Sequence, residues 1–180
     1  MLENKPSRNV LVALHLAVYS GFALWGNGFQ VVHPIFAPIL AALLIWISVI
    51  DIIRFEIPDL GAGLLALTGA VFVVVSDAII LDHALGAMIW PLLFWFVATG
   101  YMRMRGWQGL GFGDVKLMVG IGVWLGFHQA TQVVFAAALS GILAVVVFGL
   151  MKRKSFADIG SRAVAFGPFL CLSAWVTWVV

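Results

Sequence analysis

The sequence contains few charged residues. Only 10% of its 180 residues are Asp, Glu, Lys or Arg, whereas soluble domains carry about 25%. Hydrophobic residues make up 63% of the chain. A membrane-spanning helix needs about 20 mostly apolar residues, so the length allows about seven or eight spans. The composition therefore excludes an ordinary soluble domain and predicts an all-α integral membrane protein, built as a polytopic helical bundle.

Cysteine is almost absent. Cys171 is the only cysteine, and it lies within an apolar run. A single cysteine excludes a disulfide within the chain and a metal site of the CxxC type. We therefore expect the protein to bind no metal ion and no cofactor.

Seven apolar runs follow one another along the chain, separated by short polar segments. They cover about residues 9–26, 34–53, 60–80, 84–101, 114–127, 130–150 and 163–180. The first run is expected to be a retained span rather than a cleaved signal peptide. A tight turn is expected near His128-Gln129. We interpret residues 1–180 as one transmembrane domain, in which an extra N-terminal span and loop (1–33) precede a core (34–180).

The positions of the basic residues favour seven spans over six or eight. With seven spans, all Lys and Arg residues fall on one side of the membrane. They are Lys5, Arg8, Arg54, Arg103, Arg105, Lys116, Lys152, Arg153, Lys154 and Arg162. The positive-inside rule assigns that side to the cytoplasm. We therefore expect a cytoplasmic N-terminus and an external C-terminus.

Two acidic residues lie at the cytoplasmic ends of apolar runs. Asp51 ends the second run and Asp114 begins the fifth. An ionised side chain within the bilayer costs about 2.5–3.5 kcal/mol on insertion scales, so such acids mark functional sites. Two adjacent carboxylates share a proton, because ionising both is unfavourable. One can then activate a water molecule while the other donates a proton to a scissile carbonyl. The sequence predicts Asp51 and Asp114 as the catalytic pair of an intramembrane aspartyl protease.

Five further residues are expected to support this pair. Gly111 and Gly113 suit a backbone that bends or lets a substrate lie close, because glycine has no side chain and accepts positive φ. Pro58 discourages helix before it, and Asp59 is expected to be the N-cap of the next helix. Lys116 is either a helper of the site or a membrane anchor.

Three blocks of sequence resemble the type IV prepilin peptidases, which are membrane aspartyl proteases of the GxGD kind. The first is Asp51 with Pro58-Asp59 seven positions further on. The second is Gly111–Leu117, which matches GxGDxKL and continues to Gly122–Gly126. The third is Phe166–Leu170. The resemblance covers about residues 40–175.

The resemblance implies that Asp51 and Asp114 are catalytic. It also implies prepilin or pseudopilin precursors as substrates, each with a short basic leader that is removed at the cytoplasmic face of a bacterial or archaeal membrane. Lipid and these precursors are the expected partners, and nucleic acid is not. Longer family members carry a zinc-binding cysteine insert linked to N-methylation. The loop from Asn27 to His33 has no cysteine, so a short form with peptidase activity alone is expected. Phe166–Phe169 is interpreted as a packing kink, with part of a substrate groove as the alternative.

Other functions remain open from the residues alone. An ion-coupled transporter could use the same acids, although it would show repeated halves and acids near the membrane midplane, and neither is found. A membrane serine protease would need a histidine beside Ser140, and no histidine is expected there. A catalytically silent pilus or secretion assembly factor could retain the same sequence blocks.

Overall fold

The chain is helical throughout the part that the structure describes. The computed structural model describes residues 8–25, 34–106, 110–151 and 165–180, and these contain helices but no strand. The helices are α1 (Arg8–Trp25), α2 (Phe36–Arg54), α3 (Asp59–Val75), α4 (Ile80–Arg105), α5 (Phe112–Met151) and α6 (Gly167–Val179). The all-α prediction is confirmed. The predicted loop at Asn27–His33 and the basic cluster at Lys152–Lys154 lie outside the described residues.

Helices α2, α4 and α5 are long and apolar enough to cross a membrane. Helices α1, α3 and α6 are also apolar but contain 18, 17 and 13 residues. At 1.5 Å per residue, a helix of 13 residues reaches only about 20 Å, which is less than a hydrocarbon core about 30 Å thick. The three long apolar helices support a membrane protein. Because the other helices are shorter, the count of seven spans stays a prediction.

Helix α5 lies at the centre of the packing. It contacts α3, α4 and α6, while α2 contacts α1, α3 and α6. The fully buried side chains come from these contacting helices and include Leu44, Leu65, Leu117, Met118 and Leu170. This arrangement brings the end of α2 and the beginnings of α5 and α6 together.

Trp124 fixes α5 against α3. Its side chain is only 1% exposed, and its indole N–H donates to the carbonyl oxygen of Leu65 at 2.8 Å. The ring stacks on Phe72 with centroids 5.1 Å apart. A methyl group at Gly69 would lie 2.6 Å from the Trp124 ring, so a glycine is needed where the two helices meet.

Helix α5 contains both the fifth and the sixth predicted runs and is interrupted at Gly126. This residue has φ 74° and ψ 178°, a combination that is essentially confined to glycine. The predicted turn at His128-Gln129 is wrong in position, because those residues are helical. The helix is interrupted at Gly126, where glycine permits the required backbone conformation. His128-Gln129 begins two residues later.

Two neighbouring residues of α4 contact both sides of this interruption. The His83 ring donates from Nδ1 to the carbonyl oxygen of Val123 at 2.7 Å, and a helix end leaves such carbonyls without a partner in the helix. Asp82 packs directly on Gly126, and its carboxylate lies 3.4 Å from Nδ1 of His128. His83 thus supplies a donor to a backbone carbonyl near the break in α5, and Asp82 packs against the break itself.

The connection between α2 and α3 is short. Helix α2 ends at Arg54, and Phe55 follows with a positive φ of 55°. Pro58 has an extended backbone, and α3 begins at Asp59. The expected helix break before Pro58 is confirmed. The prediction that Asp59 is the N-cap is wrong: Pro58 occupies that position. It makes no side-chain capping bond, because its ring has no acceptor atom, and its carbonyl oxygen accepts a hydrogen bond from the Ala62 N–H at 3.0 Å.

We expect Gly126→Ala to lower the melting temperature of the detergent-purified protein. The alanine would have to hold a strained backbone, at a cost of about 1–3 kcal/mol, and its methyl group would overlap the Asp82 carboxylate. Gly63→Ala is the matched control, because no atom lies within 4 Å of a methyl group at that position. Equal melting temperatures for the two variants would contradict this account of the break.

Candidate active site

Three helix ends meet at one place in the structure. Asp51 lies in the last turn of α2, Asp114 in the first turn of α5, and Gly167 is the first residue of α6. The Asp51 and Asp114 side chains are buried, with exposed fractions of 5% and 7%. The two carboxylates are near enough to interact electrostatically. The structure therefore brings together two acids that are 63 positions apart in the sequence.

Gly167 holds the Asp51 carboxylate. Its backbone N–H donates to Asp51 Oδ2 at 3.0 Å. An N–H in the first turn of a helix has no acceptor within that helix, and the positive end of the helix dipole favours an anion there. A methyl group at Gly167 would lie 2.6 Å from the same oxygen. Only glycine therefore allows the carboxylate to approach this closely.

Gly167 is absent from the site residues predicted from the sequence. The Phe166–Phe169 segment is more than the packing kink that was expected, because it supplies this hydrogen-bond donor. Its sequence carries a usable signal: Gly167-Pro168 opens an apolar run, and proline is favoured in the first turn of a helix. That pattern marks a helix N-terminus whose free N–H groups can bind a carboxylate.

The Asp114 side chain lies against the glycines that precede it. Its backbone N–H donates to the carbonyl oxygen of Gly111 at 3.1 Å, and a methyl group at Gly111 would lie 3.3 Å from Asp114 Oδ2. A methyl group at Gly113 would lie 3.1 Å from Cβ of Ile57. Neither glycine has a positive φ. The part of the sequence argument that rests on positive φ is therefore wrong for both glycines. The part that rests on the missing side chain agrees with these close contacts.

Ile57 packs between the elements that carry the site. It is 9% exposed and lies in the connection between α2 and α3. In addition to Gly113 it approaches Gly167, where a methyl group would lie 3.4 Å from Ile57 Cδ1. One side chain thus contacts both the segment that carries Asp114 and the residue that binds Asp51.

Lys116 and Asp59 lie at the rim of the site. Lys116 Nζ is 2.6 Å from Asp59 Oδ1, and their side chains are 54% and 80% exposed. The structure thus pairs Lys116 with an acid outside the catalytic pair. Pro58, also predicted to support the site, packs against Gly61, where a methyl group would lie 3.1 Å from Pro58 Cγ.

Other polar side chains lie one helical turn from Gly167 and Asp51. Cys171 is fully buried and near enough to both carboxylates to interact with them electrostatically. Ser48 is also fully buried, and its hydroxyl lies 2.7 Å from Nε2 of His15. None of the three is among the predicted site residues. Spacings of three and four residues place Ser48 and Cys171 on the faces of their helices that carry Asp51 and Gly167, which is the signal that could have identified them.

The site contains two buried carboxylates and a backbone hydrogen-bond donor. These groups can act as general base and general acid on a water molecule. Within the described ranges, no three His, Cys, Asp or Glu side chains are grouped so that they could hold a metal ion. The Ser140 hydroxyl donates to the carbonyl oxygen of Ala136 on its own helix at 2.8 Å. The carboxylates are therefore the reactive groups that this arrangement presents.

The sequence model of one protein family covers the residues that build most of this site. The type IV leader peptidase family matches residues 38–146, a range that includes Asp51 and Asp114. The chain belongs to the type IV leader peptidase family. The match ends before Gly167, so the donor to Asp51 comes from outside it.

Individual members of the type IV leader peptidase family are similar over most of this chain. The prepilin leader peptidase/N-methyltransferase of Pectobacterium carotovorum subsp. carotovorum is 32% identical over 158 residues, which cover 84% of this chain and 50% of that protein. The protein of the same name from Neisseria gonorrhoeae is 30% identical over 170 residues, which cover 94% and 56%. The chain thus spans about half the length of these relatives. No solved structure is a significant match.

We expect Gly167→Ala to lower the melting temperature in a way that depends on Asp51. The added methyl group would press on the Asp51 carboxylate. The decrease in melting temperature should therefore be large when Asp51 is present. It should be small in an Asp51→Ala background, where that carboxylate is gone. Gly141→Ala is the control, because a methyl group there would make only ordinary contacts, at 3.6 Å and beyond, with Phe166 and Phe169. Equal losses in both backgrounds would contradict the proposed contact.

Proposed function

We propose that this chain is an intramembrane aspartyl endopeptidase that removes the basic leader from prepilin-like precursors. One observation carries the proposal: Asp51 and Asp114, from distant parts of the chain, are both buried at a junction of helix ends and are near enough to interact electrostatically. Membership of the type IV leader peptidase family supports the reaction class. The names of the relatives support a prepilin precursor as the substrate.

The proposed chemistry needs one proton shared by the two carboxylates. The ionised member removes a proton from a water molecule, and the water oxygen forms a bond to the scissile carbonyl carbon. The protonated member donates its proton to the carbonyl oxygen. When the tetrahedral intermediate collapses, the C–N bond breaks and the leaving amine takes up the proton that came from the water. The carbonyl oxygen returns its proton to the pair, which again shares one.

The hydrogen bond from Gly167 contributes orientation in this mechanism. It occupies Asp51 Oδ2 and so leaves Oδ1 available to face Asp114 and the water. The second carboxylate approaches from the first turn of α5, where Gly111 leaves room beside it and Gly113 leaves room for Ile57. A reacting group that is held in position before the substrate binds loses less entropy in the transition state.

We place the site on the cytoplasmic side of the membrane. Two basic residues of the described helices lie at the helix ends that carry the site, namely Arg54 at the end of α2 and Lys116 near the start of α5. The positive-inside rule assigns such an end to the cytoplasm. The N-methyltransferase activity named in the relatives is not part of the proposal.

We expect Asp51→Asn and Asp114→Asn each to lower the cleavage rate by about 10²–10⁴-fold, the range typical for loss of a general acid or base. The substrate would be a co-purified or co-expressed prepilin, with leader loss read by mass spectrometry. Asp77→Asn is the matched control, because Asp77 is exposed in the loop after α3 and its positive φ of 51° suits asparagine equally well. Cleavage at full rate by either site variant would exclude the carboxylate pair, and a silent assembly factor predicts no cleavage by the unmodified chain.

The dependence of cleavage on pH provides a separate test of the shared proton. Activity should fall at high pH, where both carboxylates are ionised and no proton is left to donate to the carbonyl oxygen. It should also fall at low pH, where neither can accept a proton from water. The measurement is the initial rate of leader removal across the pH range in which the protein stays folded. A rate that does not change from mildly acidic to strongly alkaline pH would argue against the mechanism.

A further inference from the structure

We propose that the Asp59–Lys116 ion pair positions the two catalytic carboxylates relative to each other. The inference rests on the proposed function and adds two positioning residues to it. Neither side chain belongs to the reacting pair. Asp59 opens α3 and Lys116 lies in the second turn of α5, and their charged atoms are 2.6 Å apart.

The pair closes a ring that contains both catalytic acids. Asp59 follows Asp51 by eight positions in the sequence. The ion pair links Asp59 to Lys116, and Lys116 follows Asp114 by two positions. The fourth side of the ring is the gap between the two carboxylates, where the water and the scissile bond must fit. Two sides of the ring are polypeptide chain, and the other two are the ion pair and the gap between the carboxylates. A change in the ion pair therefore changes the width of that gap.

The Ile57 side chain, from one side of this ring, packs against both halves of the site. It lies two residues before Asp59 and is almost fully buried, with Gly113 on one side and Gly167 on the other. Gly113 precedes Asp114, and Gly167 binds Asp51. Because Ile57 sits between these two glycines, a shift of the connection between α2 and α3 moves a side chain that contacts both halves of the site. The ion pair is a direct polar link between the end of that connection and α5.

The alternative is that Lys116 is only a membrane anchor and meets Asp59 by proximity. The two readings differ in what they predict. Exposed ion pairs contribute little to the stability of the folded state, so loss of this one should leave the melting temperature nearly unchanged in either case. Positioning predicts a fall in kcat, since small displacements of reacting groups lower rates strongly. Anchoring predicts no change in kcat.

The test compares single neutral variants with a reversed pair. We expect Asp59→Asn and Lys116→Gln each to lower kcat for leader removal by about 10- to 100-fold, with a smaller change in KM. The double variant Asp59→Lys with Lys116→Asp has the same combined side-chain length as the original pair and should recover most of the lost rate. Glu56→Gln is the matched control, because it removes an exposed carboxylate from the same connection without touching the ion pair.

The outcomes separate this inference from the proposed function. Cleavage by the unmodified protein, slow single variants and recovery in the reversed pair support both. If the unmodified protein cleaves but the reversed pair is as slow as the single variants, or the single variants are as fast as Glu56→Gln, the positioning role is wrong and the function stands. If the unmodified protein fails to cleave prepilin-like substrates, the function and this inference are both overturned.

Discussion

The hydrogen bond from the Gly167 amide to the Asp51 carboxylate joins residues that are 116 positions apart. A buried carboxylate is unfavourable unless hydrogen bonds replace the water that it loses, and the start of α6 supplies such a donor. This bond requires a glycine at position 167, because a side chain there would exclude the carboxylate oxygen. It also requires the start of α6 to lie beside the end of α2. The rest of the site is arranged around it: Asp114 approaches from α5, and Ile57 packs against Gly113 and Gly167.

The fold supports this junction through close helix contacts rather than through many polar links. Glycines allow the contacts, as at Gly69 beside Trp124 and at Gly122 beside Gly86. Within a membrane, helices associate mainly by close packing, because lipid is as apolar as the side chains. The helix ends therefore hold their positions because the helix bodies are fixed, and the two acids are presented by rigid elements.

The sequence predicts the helical class, the existence of most elements and the two acids, because each depends on strong local signals. Apolar runs and the break before Pro58 are visible in the residue pattern. Contacts between distant residues are not, and this is where the expectations fail. Asp59 was expected to cap a helix but instead pairs with Lys116. Cys171 appears as one more apolar position in the sequence, yet the packing of α6 buries it near enough to both carboxylates to interact with them electrostatically.

The boundary of the family match has a consequence for how members of the type IV leader peptidase family are judged. Residues 38–146 contain both acids but end before α6, so a chain cut at that boundary would keep its reactive groups and lose the amide that orients one of them. In this chain, the two aspartates alone therefore do not make a complete site. The glycine that begins α6 must also be present, because its amide is the donor to Asp51.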